Sequence, residues 1–124
     1  MAAADKVGVL IGTLFLARDL AHIEHLRTRS YAQHMALDGF YTGIVDLADS
    51  LIEAYQGRYR KLINIQLSAS NGDTNISDLL DAQREWIHSY RYEAVPKDET
   101  ALQNIIDEIE ALYMSTVYKL TFLS

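Results

Sequence analysis

Between Tyr31 and Tyr55 the apolar residues Leu37, Phe40, Ile44, Leu47, Leu51 and Tyr55 recur in steps of three and four, with no proline in the run. That spacing demands a long helix, and a long amphipathic helix is stable only where other elements cover its apolar side. Three more stretches supply the cover. Val7, Leu10, Ile11, Leu14 and Phe15 start a stripe that continues through His25, Leu79, Leu80, Trp86 and Ile87 form another, and Leu102, Ile106, Ile109, Tyr113 and Leu120 a third. The spacing predicts helices over roughly 5–27, 31–56, 76–94 and 97–121 of one domain, 1–124.

Boundary residues fix the expected order in space. Ser30 reads as the N-cap of the second helix and Gly57 as its end, Asn75 or Ser77 as the cap of the third, and Pro96 as the stop after which Pro96-Lys97-Asp98-Glu99 opens the fourth. The break at Arg27 to Ser30 is short, so the first two helices are antiparallel neighbours. The connection from Arg58 to Asn75 is long enough to return along the bundle and set the third helix parallel to the second. The expected fold class is an all-α four-helix bundle with a long crossover between helices two and three.

Composition limits the function classes. The 124 residues contain no Cys, so thiolate sites and disulfides are excluded and a reducing compartment, with cytoplasm as the default, is expected. The net charge is −6 and Lys6 is the only basic residue before position 18, so no basic arm for nucleic acid is present. The apolar run Val7 to Ala17 is too short to span a bilayer and is followed at once by Arg18 and Asp19. No phosphate-binding glycine loop, nucleophile elbow or internal repeat occurs.

Chemistry concentrates in His22, His34, Asp38, Asp49 and Glu53. On one helix, positions 34, 38, 49 and 53 fall at roughly 0°, 40°, 60° and 100°, a single face. Along the axis, Asp38 and Asp49 are about 16 Å apart, whereas the ligand atoms of one metal ion lie within about 2–2.5 Å of it. One chain therefore cannot close a site from both. Two antiparallel copies can, because a two-fold axis at Gly43 and Ile44 sets 38 against 49 and 34 against 53 and produces two equivalent sites. Imidazole nitrogen mixed with carboxylate oxygen suits iron or zinc better than calcium or magnesium. The same acids also fit an ordinary solvated helix face, and a lone His22 beside a core stripe is more often a hydrogen-bonded core residue than a ligand.

The pattern H-x11-H-x3-D-x10-D-x3-E, with the surrounding LDGFYTGIVDLADSLIEAYQG, resembles the ferroxidase region and second helix of the Dps-like miniferritins; this chain looks like a short, divergent member. The resemblance implies a ferritin-like bundle that assembles through two-fold dimers into a dodecameric shell. It implies that His22, His34 and Asp38 come from one subunit and Asp49 and Glu53 from its mate. It implies a ferroxidase that oxidises Fe²⁺ with hydrogen peroxide or dioxygen, stores the iron and protects against oxidative stress, with zinc as a competitor. No nucleic-acid or membrane partner is expected. From another class, the alternative is a non-catalytic helical bundle for assembly or interaction that retains the pattern. Glu85 and His88 make one Glu-x-x-His where a di-iron bundle needs two, so they are read as surface partners, and His25 stands outside the pattern.

Overall fold

A computed structural model describes residues 2–70 and 75–123. Four helices form: α1 Ala3–Arg27, α2 Tyr31–Tyr59, α3 Ile76–Ala94 and α4 Thr100–Phe122. Ser30 Oγ accepts the Gln33 amide at 3.2 Å and Asn75 Oδ1 accepts the Asp78 amide at 3.2 Å, each satisfying an otherwise orphaned N–H of a first helical turn. Ser30 thus caps as expected, and of the two candidates for α3 the cap is Asn75.

Two helix ends differ from expectation. Gly57 stays helical and α2 runs on to Tyr59, where the turn is made by Arg60 in the left-handed region at φ 53°. The last turn is held by Tyr55 against Tyr59, 4.7 Å between ring centroids, and by the paired bonds of 2.8 and 2.9 Å from Arg58 to Glu99. Lys61 N–H then returns to Gln56 C=O at 3.2 Å and covers a terminal carbonyl. At the other end, 96–99 form a turn, with Glu99 N–H donating to Pro96 C=O at 3.1 Å, so α4 begins at Thr100 rather than at 97.

Each helix packs antiparallel against two neighbours. The ring order is α1, α2, α4, α3, so α2 and α3 are parallel across one diagonal and α1 and α4 across the other. Lys6 reaches Glu93 at 3.6 Å, start of α1 to end of α3, and Phe40 meets Tyr113 edge to face at 5.0 Å. The core is Leu10, Ile11 and Leu14 of α1, Leu37, Phe40, Ile44 and Leu51 of α2, Leu80 and Ile87 of α3, and Ile106, Ile109 and Tyr113 of α4. Tyr113 is fully buried, its hydroxyl donates to Gln83 Oε1 at 3.1 Å, and burial pushes the phenol far above its ordinary value.

The crossover is an extended strap over 61–70 laid against α1. A Cβ on Gly8 would collide with the Asn64 carbonyl, and one on Gly12 with the Gln66 carbonyl. Gln66 N–H donates to Gly8 C=O at 3.1 Å, and farther along, Leu67 to Ser70 line a cleft with Leu16, His22 and Leu26. These two glycines interrupt the apolar run because the strap's backbone occupies the space of their side chains.

A buried ionic cluster joins α3 to α4. Arg91 donates to Gln103 Oε1 at 2.8 Å and, at 2.7 Å each, to Glu110, to Asp107 and to the Gln103 carbonyl. Gln103 donates in turn to Val95 C=O at 3.0 Å. Among the described residues no buried side-chain N or O lacks a partner, as a stable polar interior requires.

Candidate metal-binding face

The residues singled out in the sequence lie around the α1–α2 hairpin and along the outer side of α2. Because α2 is unbroken from Tyr31 to Tyr59, His34, Asp38, Asp49 and Glu53 do share one face. Asp49 and Glu53 are exposed, while His34 and Asp38, at the end nearest the turn from α1, are half-buried. No Lys or Arg occurs from Tyr31 to Gly57, and Arg58 in the last turn of α2 is paired with Glu99, so no cation of this helix is set among the acids of this face.

His22 lies on the rim of the core. It is exposed, and its ring stacks on Tyr41 with 4.3 Å between centroids and 14° between planes. Tyr41 O–H donates to Asp38 Oδ1 at 3.0 Å. That hydrogen bond first, then burial and the carboxylate charge, holds the Tyr41 phenol above its ordinary value. Tyr41 thus connects His22 of α1 to Asp38 of α2, while Asp38 Oδ2 keeps its lone pairs.

His34 is paired with His25 instead of His22. The two rings stack at 3.6 Å with 21° between planes. His25 Nδ1–H donates to the His34 carbonyl at 2.7 Å, and His34 Nδ1–H donates to the His25 carbonyl at 2.8 Å. A carbonyl only accepts, so both imidazoles carry their proton on Nδ1 when neutral and offer a lone pair at Nε2. Metal-bound histidines typically show this pattern, donating the second ring N–H to a carbonyl or carboxylate. Among the described residues neither Nε2 has a partner and neither is sealed in the interior, and His34 lines a surface hollow with Thr28 to Tyr31.

His25 and Tyr41 are the contributors that pattern matching passes over. His25 is legible by another rule: with a short turn centred near residue 29, positions 25 and 34 are mirror images across the hairpin. His25 is also the histidine that faces the core, at 8% exposure, the place expected for His22.

The role expected of Gly43 needs a correction. Gly43 lies at roughly 180° from His34 on the helical wheel. An added Cβ there would meet Leu112 of α4 at 3.2 Å, and Ile44 is buried. Gly43 therefore faces α4 and Ile44 the core, and a second copy crossing at this level would meet Thr42, Val45 and Asp46 instead. Among the described residues of one chain, no three His, Asp or Glu side chains converge on a metal-sized position. Glu85 and His88 are exposed but do not pair with each other: Glu85 lies 3.9 Å from Arg84, and His88 Nδ1 lies 3.2 Å from Glu110. No helix among the described residues is long and apolar enough to cross a membrane.

Residues 25–120 match a family of unknown function, DUF5856, and the chain belongs to it. It is also similar to an uncharacterized 14.6 kDa protein in the mobD-ri intergenic region of Enterobacteria phage T4, 30% identical over 118 residues that cover 94% of this chain and 89% of that one. No solved structure matches the chain.

Proposed function

We propose that this DUF5856 member is a ferritin-like, two-fold-assembled ferroxidase that binds Fe²⁺ between subunits and oxidises it with hydrogen peroxide or dioxygen, for iron storage and protection against oxidants. The observation that carries the reading is the unbroken α2, which aligns His34, Asp38, Asp49 and Glu53 while His34 is held with Nε2 outward. His34 and Asp38, with His22 beside them, would form one half of each site, and Asp49 and Glu53 of the second copy the other. Two such acid-lined faces repel each other unless cations lie between them, so metal should drive the pairing. With peroxide, two Fe²⁺, one H₂O₂ and two protons give two Fe³⁺ and two waters. Zinc would compete for the same donors. A dodecameric shell, which rests on the miniferritin resemblance, and a cytoplasmic setting, which rests on the cysteine-free composition, belong to the same proposal.

The second reading is a non-catalytic bundle whose assembly is governed by a divalent ion at this interface. It needs only the exposed acids of α2 and no redox step. Anaerobic Fe²⁺ titration followed by peroxide or dioxygen, with Fe³⁺ absorbance and native mass recorded together, separates the two. The Asp38→Ala, Glu53→Ala double variant is expected to lose Fe²⁺ binding while keeping its helicity, because removing exposed or half-exposed acids relieves repulsion rather than breaking the core. Unchanged Fe²⁺ binding by that variant would remove the site from this face.

A further inference from the structure

We infer that His25, which lies outside the five-residue pattern, is a positioning residue that presents His34 Nε2 to a divalent transition metal; this rests on the metal-binding reading proposed above. An imidazole on a helix surface normally turns about its side-chain torsions and exchanges its proton between ring nitrogens. His34 is denied both freedoms. Its Nδ1–H is tied to the His25 carbonyl at 2.8 Å, and the His25 ring lies over its face at 3.6 Å. The His25 ring is itself fixed, 8% exposed, with its Nδ1–H on the His34 carbonyl at 2.7 Å and its edge against Tyr41 at 5.3 Å. The arrangement is reciprocal, so each residue orients the other across the turn joining α1 to α2.

The stack also decides which role His25 takes. In-plane lone pairs on two nearly parallel rings do not converge on one ion, so His25 supports His34 from behind rather than sharing its metal. The backbone carbonyl of residue 25 survives any substitution there. The side chain's contribution is therefore the ring face that keeps His34 within reach of that carbonyl, which makes the role separable by mutation.

The test uses the full chain with Co²⁺ as the probe and nitrogen NMR of the His34 ring as the second readout. In the wild type, His34 should show its proton on Nδ1 before any metal is added, and Co²⁺ should shift the His34 Nε2 resonance. His25→Phe keeps a stacking face and should retain both the tautomer and Co²⁺ binding. His25→Ala should show exchanging tautomers at His34 and bind Co²⁺ about 10- to 100-fold more weakly, the usual range for loss of a ligand's supporting shell. Equal loss in His25→Phe and His25→Ala, with both folded by circular dichroism, would show that the stacking face does not present His34 and overturn the positioning role. A His25→Ala chain indistinguishable from wild type would overturn it as well. A wild-type chain that takes up no Co²⁺ would end the metal reading itself, which neither variant result does.

Discussion

Replacing Arg91 by Met should be among the most damaging single changes in this bundle. The side chains of Arg91 and Glu110 are only 5% and 7% exposed, and the 2.7 Å bond between them is one of four that the guanidinium makes. Removing one member of a buried pair costs about 3–5 kcal/mol, because the remaining charge stays out of water without its partner. Glu110 retains His88 at 3.2 Å and Arg84 at 3.6 Å, both nearer the surface, so the loss belongs at the lower end, about 3 kcal/mol. For a chain of this size, that is a fall in Tm of about 10–15 °C. Glu110→Leu alone should cost about 2 kcal/mol, since Arg91 keeps Asp107 and Gln103. The Arg91→Met, Glu110→Leu double variant should return to within about 1 kcal/mol of wild type, as apolar replacement of a whole buried pair often does. Urea unfolding of the four proteins closes the cycle. If the two single losses simply add in the double variant, within about 0.5 kcal/mol, the pair is not coupled and the reasoning fails.

Three further outcomes are expected. Gly12→Ala should destabilise the chain by about 1–3 kcal/mol and speed proteolysis within 61–70, because the new methyl meets the Gln66 carbonyl backbone; unchanged cleavage kinetics would mean that the strap is not seated there. A His34→Ala, Asp38→Ala chain and an Asp49→Ala, Glu53→Ala chain should each lack ferroxidase activity, yet co-refolded at equal amounts they should recover about a quarter of it, since half the dimers are mixed and each of those keeps one intact site. No recovery in proven mixed dimers would reject sites shared across a two-fold axis. Tyr113, with its phenol pushed up by burial, should contribute full stability below the ordinary phenol value of 10.0 and lose it as pH climbs toward the folded-state value; Tyr113→Phe should flatten that alkaline decline in thermal melts.

The helices were legible because their signals are local. Ser30 and Asn75 cap through their own side chains, and the apolar periods of α1 to α4 repeat within a few turns. Gly57 misled because a glycine signals the end of a helix only when nothing prolongs it, and here Tyr55 against Tyr59 within the last turn and Arg58 reaching Glu99 beyond α3 do so. Pro96 marked a stop correctly but not the start of α4, since its turn takes up 96–99. At the candidate site, the common face of His34, Asp38, Asp49 and Glu53 followed from helix period alone. The pairing of His25 with His34 required knowing how tightly the hairpin closes. Arg91 and Glu110 look like surface charges in sequence, because only the α3–α4 packing puts them opposite each other and inside. Gly43 was read as facing a second copy, whereas it faces Leu112 of α4.

The strap and the hairpin also give the chain a timetable. The His25–His34 contacts close a loop of only a few residues, whereas Arg58 must wait for Glu99, and Lys6 for Glu93. Loop closure grows costlier with separation, so the α1–α2 hairpin should be the first part to gain structure. On a ribosome, that hairpin would emerge with Leu10, Phe40 and Ile44 uncovered until α3 and α4 follow. For that interval the two glycines of α1 should have a kinetic use: the slot they leave for Asn64 and Gln66 would let 61–70 settle as soon as it is made and shield one side of the nascent pair.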